Sequence, residues 1–238
     1  VNKNLLRHFS LVIRDGLALW WLAPIIPLIA VCTEFYQHYG EVTLGMFDSE
    51  EAFSALATSP ERLRFGIWKI TGVLIALSGA AQFWSNRKYG EPWWSMRVFL
   101  HRKTAIAWVL NLVIFGLIAL LIKWVGLDSA ILPILAMVIV TLPVLLYTSA
   151  ALFGDDSWSL KRSFTAGWKP LLRMSGFMLA VLIPFQVIHV ANHHWAFGAS
   201  DILLWVILVF DSLLVGLLAT LAGTALHHGL YSFEHIES

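Results

Sequence analysis

The stretch HVANHHW at residues 189–195 puts His189, His193 and His194 within seven positions, and ALHHGLYSFEH at 225–235 adds His227, His228 and His235. His189 and His193 are four apart, so on a helix their imidazoles share a face. Two imidazoles on one face are a legitimate pair of metal or haem ligands. His227 and His228 are adjacent and diverge by ~100° on a helix. With Asp201, and with Glu34 or His38 from elsewhere in the chain, the set His189, His193 and His194 has donors suited to zinc or copper. No Cys-x-x-Cys or H-E-x-x-H accompanies them, and a single cysteine, Cys32, builds neither an intrachain disulfide nor an iron–sulfur site. Histidine is also an amphipathic boundary residue. The expectation is therefore no cofactor, with a metal site at His189, His193, His194 and Asp201, or a haem, as the alternative.

What positions these residues follows from composition. The chain has 238 residues, of which 58% are hydrophobic and 13% charged, and its mean hydropathy is +0.74. Soluble domains carry about 25% charged residues. Apolar residues in long runs at this density imply lipid as the solvent. The first apolar run, GLALWWLAPIIPLIAVC, lacks a small-x-small cleavage site and reads as a retained span.

Six stretches reach the ~20 apolar residues that a ~30 Å hydrocarbon core requires: 17–36, 65–85, 104–125, 130–153, 173–195 and 201–227. The expected fold class is all-α. It is a polytopic membrane protein with six transmembrane helices in one domain over 1–238 and amphipathic interfacial helices on the cytoplasmic side. With a cytoplasmic N-terminus, twelve of the sixteen basic residues fall on that side: Lys3, Arg7, Arg14, Arg87, Lys88, Arg97, Arg102, Lys103, Lys161, Arg162, Lys169 and Arg173. Both termini are thus expected in the cytoplasm. Tryptophans agree with this map, because indole prefers the membrane boundary: Trp20, Trp84 and Trp158 fall at the inner boundary, Trp68, Trp124 and Trp195 at the outer.

On that map the two histidine clusters end at opposite faces, about 30 Å apart, and cannot share one ion. Asp211 lies ten residues into the sixth span, ~15 Å down at 1.5 Å per residue. Intramembrane acids are costly unless paired, protonated or facing water, and are functional suspects by default. Lys69 in the second span could reach part of the way toward it, and Asn111 in the third lies at comparable depth. GLLATLAGTALHHG brings Gly216, Ala219, Gly223 and Thr224 onto close spacing, which suits helix–helix packing.

The cytoplasmic segments mix bases with apolar stripes. In NKNLLRHFSLVIRD, Leu5, Leu6, Phe9, Val12 and Ile13 form one helical face; in DDSWSLKRSFTAGWKP, Leu160, Phe164 and Trp168 recur every four residues. Such helices should lie in the interface with bases toward anionic head groups, making Lys161, Arg162, Lys169, Arg173, Arg102 and Lys103 the expected lipid contacts.

LYTSAALFGDDSWSLKRSFTAGWKPLLRMSGFMLAVLIP, with its acidic turn, K-R-S core and apolar return, resembles the repeated unit of YciC-like bacterial membrane proteins. It is also similar to the membrane domain of some glycerophosphodiester phosphodiesterases. The resemblance covers about 40 residues well and implies a bacterial inner-membrane location, and it carries no catalytic residues. The functional expectation is a non-enzymatic integral membrane protein of envelope or lipid homeostasis, or of membrane-complex assembly. Its expected partners are membrane lipids and further copies or other membrane subunits, with no nucleic acid. A small permease or channel component using Asp211 is the second reading, and a metal- or haem-binding protein using His189 and His193 the third.

Overall fold

The computed structural model describes residues 3–95, 101–125 and 127–231. Among the described residues all regular structure is helical: α1 (Lys3–Leu22), α2 (Ile25–Thr43), α3 (Glu50–Leu56), α4 (Pro60–Lys88), α5 (Arg102–Val125), α6 (Leu127–Leu152), α7 (Leu160–Ala166), α8 (Trp168–Ala196) and α9 (Asp201–Leu230). Among the described residues, four stretches are long and apolar enough to cross a membrane: Pro60–Lys88, Leu132–Leu152, Trp168–Ala196 and Asp201–Leu230. A fifth span exists if α1 and α2 act as one. The chain is thus a multi-pass helical membrane protein. Helices α6 and α8 run through Pro133, Pro143 and Pro184 without ending.

The stretch expected as a first span, 17–36, is not one helix. It breaks between Leu22 and Ile25, where α1 and α2 meet at 87°. Pro24 stands at the N-cap of α2 and Pro27 in its first turn. Neither can donate the backbone hydrogen bond that would continue α1, whereas both suit a helix start.

Contacts divide the chain into two units, residues 1–81 with 176–225, and 82–175 with 226–238. In the first, Val12 of α1, Phe177 and Val181 of α8, and Leu221 and Ala225 of α9 form a buried cluster, joined by Phe9 and Ile13. The N-terminal apolar stripe is therefore partly consumed by packing, while Leu5 and Leu6 stay exposed. In the second unit, Ala107, Tyr147 and Ala151 pack α5 against α6. There Arg173 donates from Nε to the Gly229 carbonyl (2.7 Å) and from Nη2 to that of Leu230 (2.9 Å). These are carbonyls at the end of α9 that the helix itself cannot satisfy.

Helix α2 has an inverted pattern. Glu34, Gln37, His38 and Glu41 are buried, while Phe35, Tyr36 and Tyr39 are exposed. Positions i, i+3, i+4 and i+7 make one helical face, so this helix turns its polar stripe inward and its aromatic stripe outward. Lipid on the outside accounts for that arrangement, and a polar centre must lie inside.

Candidate metal centre

All members of the centre belong to the first unit. Helix α8 brings His189, Asn192 and His193 onto one face, again at i, i+3 and i+4. Helix α9 returns from a short connection after Ala196, in which Gly198 takes a left-handed conformation (φ 65°). Its N–H donates to the Phe47 carbonyl at 2.9 Å, and the positive φ suits glycine just past a helix end. Counted from this hairpin tip, His189 lies seven residues back from Ala196 and Asp211 ten beyond Asp201. At ~1.5 Å per residue both sit ~10–15 Å in, so they meet.

Asp211, fully buried, is the hub. Its Oδ2 is 2.6 Å from His189 Nδ1, 3.1 Å from His38 Nε2 and 4.0 Å from His193 Nε2, while Oδ1 accepts from Asn192 Nδ2 at 2.7 Å. His38 Nε2 also lies 3.3 Å from Glu34 Oε1. Lys69 of α4 places Nζ 2.8 Å from that Glu34 oxygen. Two groups of donors result, His38–His193–Asp211 and Glu34–His189–Asp211, with the donor atoms of each within 4.8 Å of one another.

Behind His38 stands a further layer. Its Nδ1 is 3.2 Å from Glu41 Oε2. Glu41 Oε1 in turn accepts from Gln37 Nε2 at 2.7 Å and from Arg62 Nε at 3.3 Å. A ligating histidine whose second nitrogen is held by a carboxylate is the common arrangement at metal sites, because it sets the tautomer and the ring orientation. Both nitrogens of His38 face carboxylates; a cation held by Nε2 would take the place of a proton there, leaving Nδ1–H to Glu41. Aromatic rings close the far side: His193 lies 5.6 Å from Phe47 and 5.5 Å from Phe53, centroid to centroid.

Whether these residues fit a metal can be tested on the atoms left over. Buried His193 Nε2 and Glu34 Oε2 have no hydrogen-bond partner, a state that costs about 1–3 kcal/mol each, more for a charged group. Three carboxylates (Glu34, Glu41, Asp211) face two cations (Lys69, Arg62), leaving a negative balance before any imidazole is charged. A divalent cation removes both deficits. Donors bound at ~2.1 Å to one ion lie up to ~4.2 Å apart, and the 3.1 and 4.0 Å from Asp211 Oδ2 to the Nε2 atoms of His38 and His193 match that sphere. Two ions ~3.5–4 Å apart would need a wider set.

Of the residues singled out by type and spacing, His189, His193 and Asp211 are brought together. His194 is exposed and meets Phe197 edge-on at 5.7 Å, and Asp201 is exposed in the first turn of α9; neither joins the cluster. Lys69 reaches Glu34 and not Asp211. Asn111 belongs to the second unit, where it donates to the Ala107 carbonyl and to Thr148 Oγ1, both at 2.7 Å. His227 and His228, also there, lie Nδ1 to Nδ1 at 3.0 Å and enter neither metal-capable group. His235 and Arg97 lie outside the described residues.

Among the basic residues, Lys161, Arg162, Lys169 and Arg102 are exposed. Arg162 also stacks over Trp158 at 4.8 Å. Lys103 is spent on the Asp155 carbonyl, and Arg173 on the end of α9. Type and spacing do not single out Glu41, Gln37 or Asn192; E-x-x-x-H-x-x-E in TEFYQHYGE is the available signal for the first two, and the i, i+3 spacing of Asn192 from His189 that for the third.

Removing the Glu41 carboxylate tests the outer layer. Glu41→Gln keeps the size but loses the anion that holds Nδ1–H of His38, and is expected to weaken zinc binding ~10–100-fold in a chelator-competition titration. Unchanged affinity would mean that Glu41 serves packing alone. Comparison with protein families, with curated proteins and with solved structures finds no match to this chain.

Proposed function

We propose that this multi-pass membrane protein is a metalloprotein whose centre is a single divalent transition-metal ion held by His38, His193 and Asp211, with His189 and Glu34 beside it. The observation that carries this reading is the pair of donor groups sharing Asp211, each within 4.8 Å. Nitrogen and carboxylate donors without thiolate favour zinc among the common divalent ions. A permease reading asks Asp211 to face a water path; its complete burial and its contacts to His38, His189 and Asn192 favour a resident ion instead.

The wider placement is also part of the proposal. Counting α5 and the bent α1–α2 pair with the four apolar helices yields six spans. The basic residues favour both termini in the cytoplasm, and the likeness to YciC-like proteins favours a bacterial inner membrane.

The test is metal analysis of detergent-purified protein, followed by chelator stripping and titration. About one zinc per chain is expected, with a rise in thermal midpoint on reloading, since an ion bound only by the folded state stabilises it by ~4 kcal/mol at 1,000 Kd. A preparation that holds no metal and shows no shift with zinc, cobalt or manganese would refute the reading.

A further inference from the structure

We infer, resting on the metal reading above, that the centre is hydrolytic: Glu34 acts as general base to a water beside the ion, and the substrate is the carboxylic ester of a membrane amphiphile. Three observations lead there.

The first is the asymmetry of Glu34. Lys69 Nζ and His38 Nε2 both face Oε1, at 2.8 and 3.3 Å; neither oxygen makes a hydrogen bond, and Oε2 is buried away from both contacts. An oriented carboxylate with one oxygen committed and one free is what proton abstraction needs. His189 differs from the other two histidines in lying only 2.6 Å from Asp211 Oδ2. That contact makes it the group that orients the aspartate, with its Nδ1–H donated. Three protein ligands, His38, His193 and Asp211, then leave an open position, the pattern that separates catalytic from structural zinc sites.

The second is access. In a centre whose Glu34, His38 and Asp211 are sealed, the side chains of Lys69, His189 and His193 keep 22%, 17% and 14% exposure. Their chain neighbours Trp68, Ile70, Ile188 and Val190 are exposed and apolar. The centre therefore lies beneath a lipid-facing surface on the side of Lys69, His189 and His193, and a substrate approaching from that side is an amphiphile.

The third is charge. Arg62 and Lys69 are committed to Glu41 and Glu34, and carboxylates outnumber cations in the cluster. A phosphoryl group, which needs cationic oxygen clamps, is disfavoured; a neutral acyl carbon is not. Water oxygen bonds to that carbon as its proton passes to Glu34 Oε2. The ester C–O bond then breaks, the proton moves from Glu34 to the departing alkoxide oxygen, and a carboxylic acid and an alcohol result.

The experiment compares wild type and Glu34→Gln, each loaded with zinc or cobalt, on 4-methylumbelliferyl oleate in mixed micelles. Glu34→Gln is expected to retain about one zinc per chain while kcat falls ~10²–10⁴-fold. Acetohydroxamate, which needs an open position, is expected to shift the visible spectrum of both cobalt forms. No turnover by wild type, unchanged kcat in the variant, or a cobalt spectrum unmoved by acetohydroxamate overturns the hydrolytic assignment and leaves the metal reading standing. Loss of zinc from Glu34→Gln overturns it too, by making Glu34 a ligand. A wild type that binds no ion fails earlier, and removes the metal reading with it.

Discussion

Asp211→Asn is expected to empty the metal centre, taking zinc from about one per chain to below ~0.1 after gel filtration. The carboxylate is the shared corner of both donor groups, so one substitution removes the anionic ligand of the proposed ion and a donor from the neighbouring group as well. An amide of the same size cannot replace it. With its nitrogen turned toward His38 and His189 it offers those rings a donor where they now meet Oδ2 at 3.1 and 2.6 Å. Turned the other way, it meets the donating amide of Asn192, now 2.7 Å from Oδ1. Either orientation leaves a buried polar group unmet, at ~1–3 kcal/mol, and removes the anionic ligand. The loss in affinity should exceed the ~10–100-fold of a second-layer change such as Glu41→Gln. Zinc reloading should no longer raise the thermal midpoint of the variant, because that shift requires binding to the folded state. Retention of stoichiometric zinc by Asp211→Asn would strip Asp211 of its ligand role.

The same residues show how far sequence reasoning reaches. An all-helical membrane protein follows from hydropathy alone, because apolar runs of that length have no other stable solvent. Asp211 stands out because an acid in a span is expensive, and the i, i+4 register of His189 and His193 is set by helix geometry. Helix α2 is harder. Four polar residues between Glu34 and Glu41 lower the local hydropathy enough to end the expected span at 36, yet the helix continues to Thr43. A window average discards the angular information that all four lie on one face. Pairing across the two helices is hidden for a related reason. The span map puts HVANHHW at the end of the fifth span, and His189 lies about as far from the hairpin tip as Asp211 does. The pairing across α8 and α9 follows once both are measured from that tip. The 87° break at Pro24 has a sequence cause, but two prolines in a membrane helix are also tolerated, and α6 runs on through Pro133 and Pro143. Which outcome occurs is decided by packing.

Packing also sets the second large expectation, the loss of fold and metal together in Gly223→Leu. A Cβ at Gly223 would lie 2.2 Å from the Leu77 carbonyl oxygen, 2.7 Å from Ala80 Cβ and 3.0 Å from the Ala81 nitrogen. Two of these are backbone atoms of α4 and cannot swing aside, so α9 and α4 must part. The facing surface of α4 is built for contact, with Ala76, Ala80 and Ala81 buried, a small-on-small seam of the kind that lets membrane helices approach closely. Overpacking usually costs ~1–3 kcal/mol and more when backbone must move; Gly223→Leu should fall at or above the top of that range in thermal unfolding. Asp211 stands twelve residues earlier on the same helix, ~18 Å away. A tilt of α9 about the seam therefore displaces its carboxylate, and metal sites tolerate ligand errors of only ~0.2 Å, so zinc affinity should drop with stability. Gly176→Leu is the control. It places the same side chain on α8 where a Cβ meets nothing within 4 Å, and by helix propensity it should be neutral or stabilising by up to ~1 kcal/mol. Equal stability and zinc content in the two variants would mean that α4 and α9 do not touch at Gly223, and that the position of Asp211 does not depend on that seam.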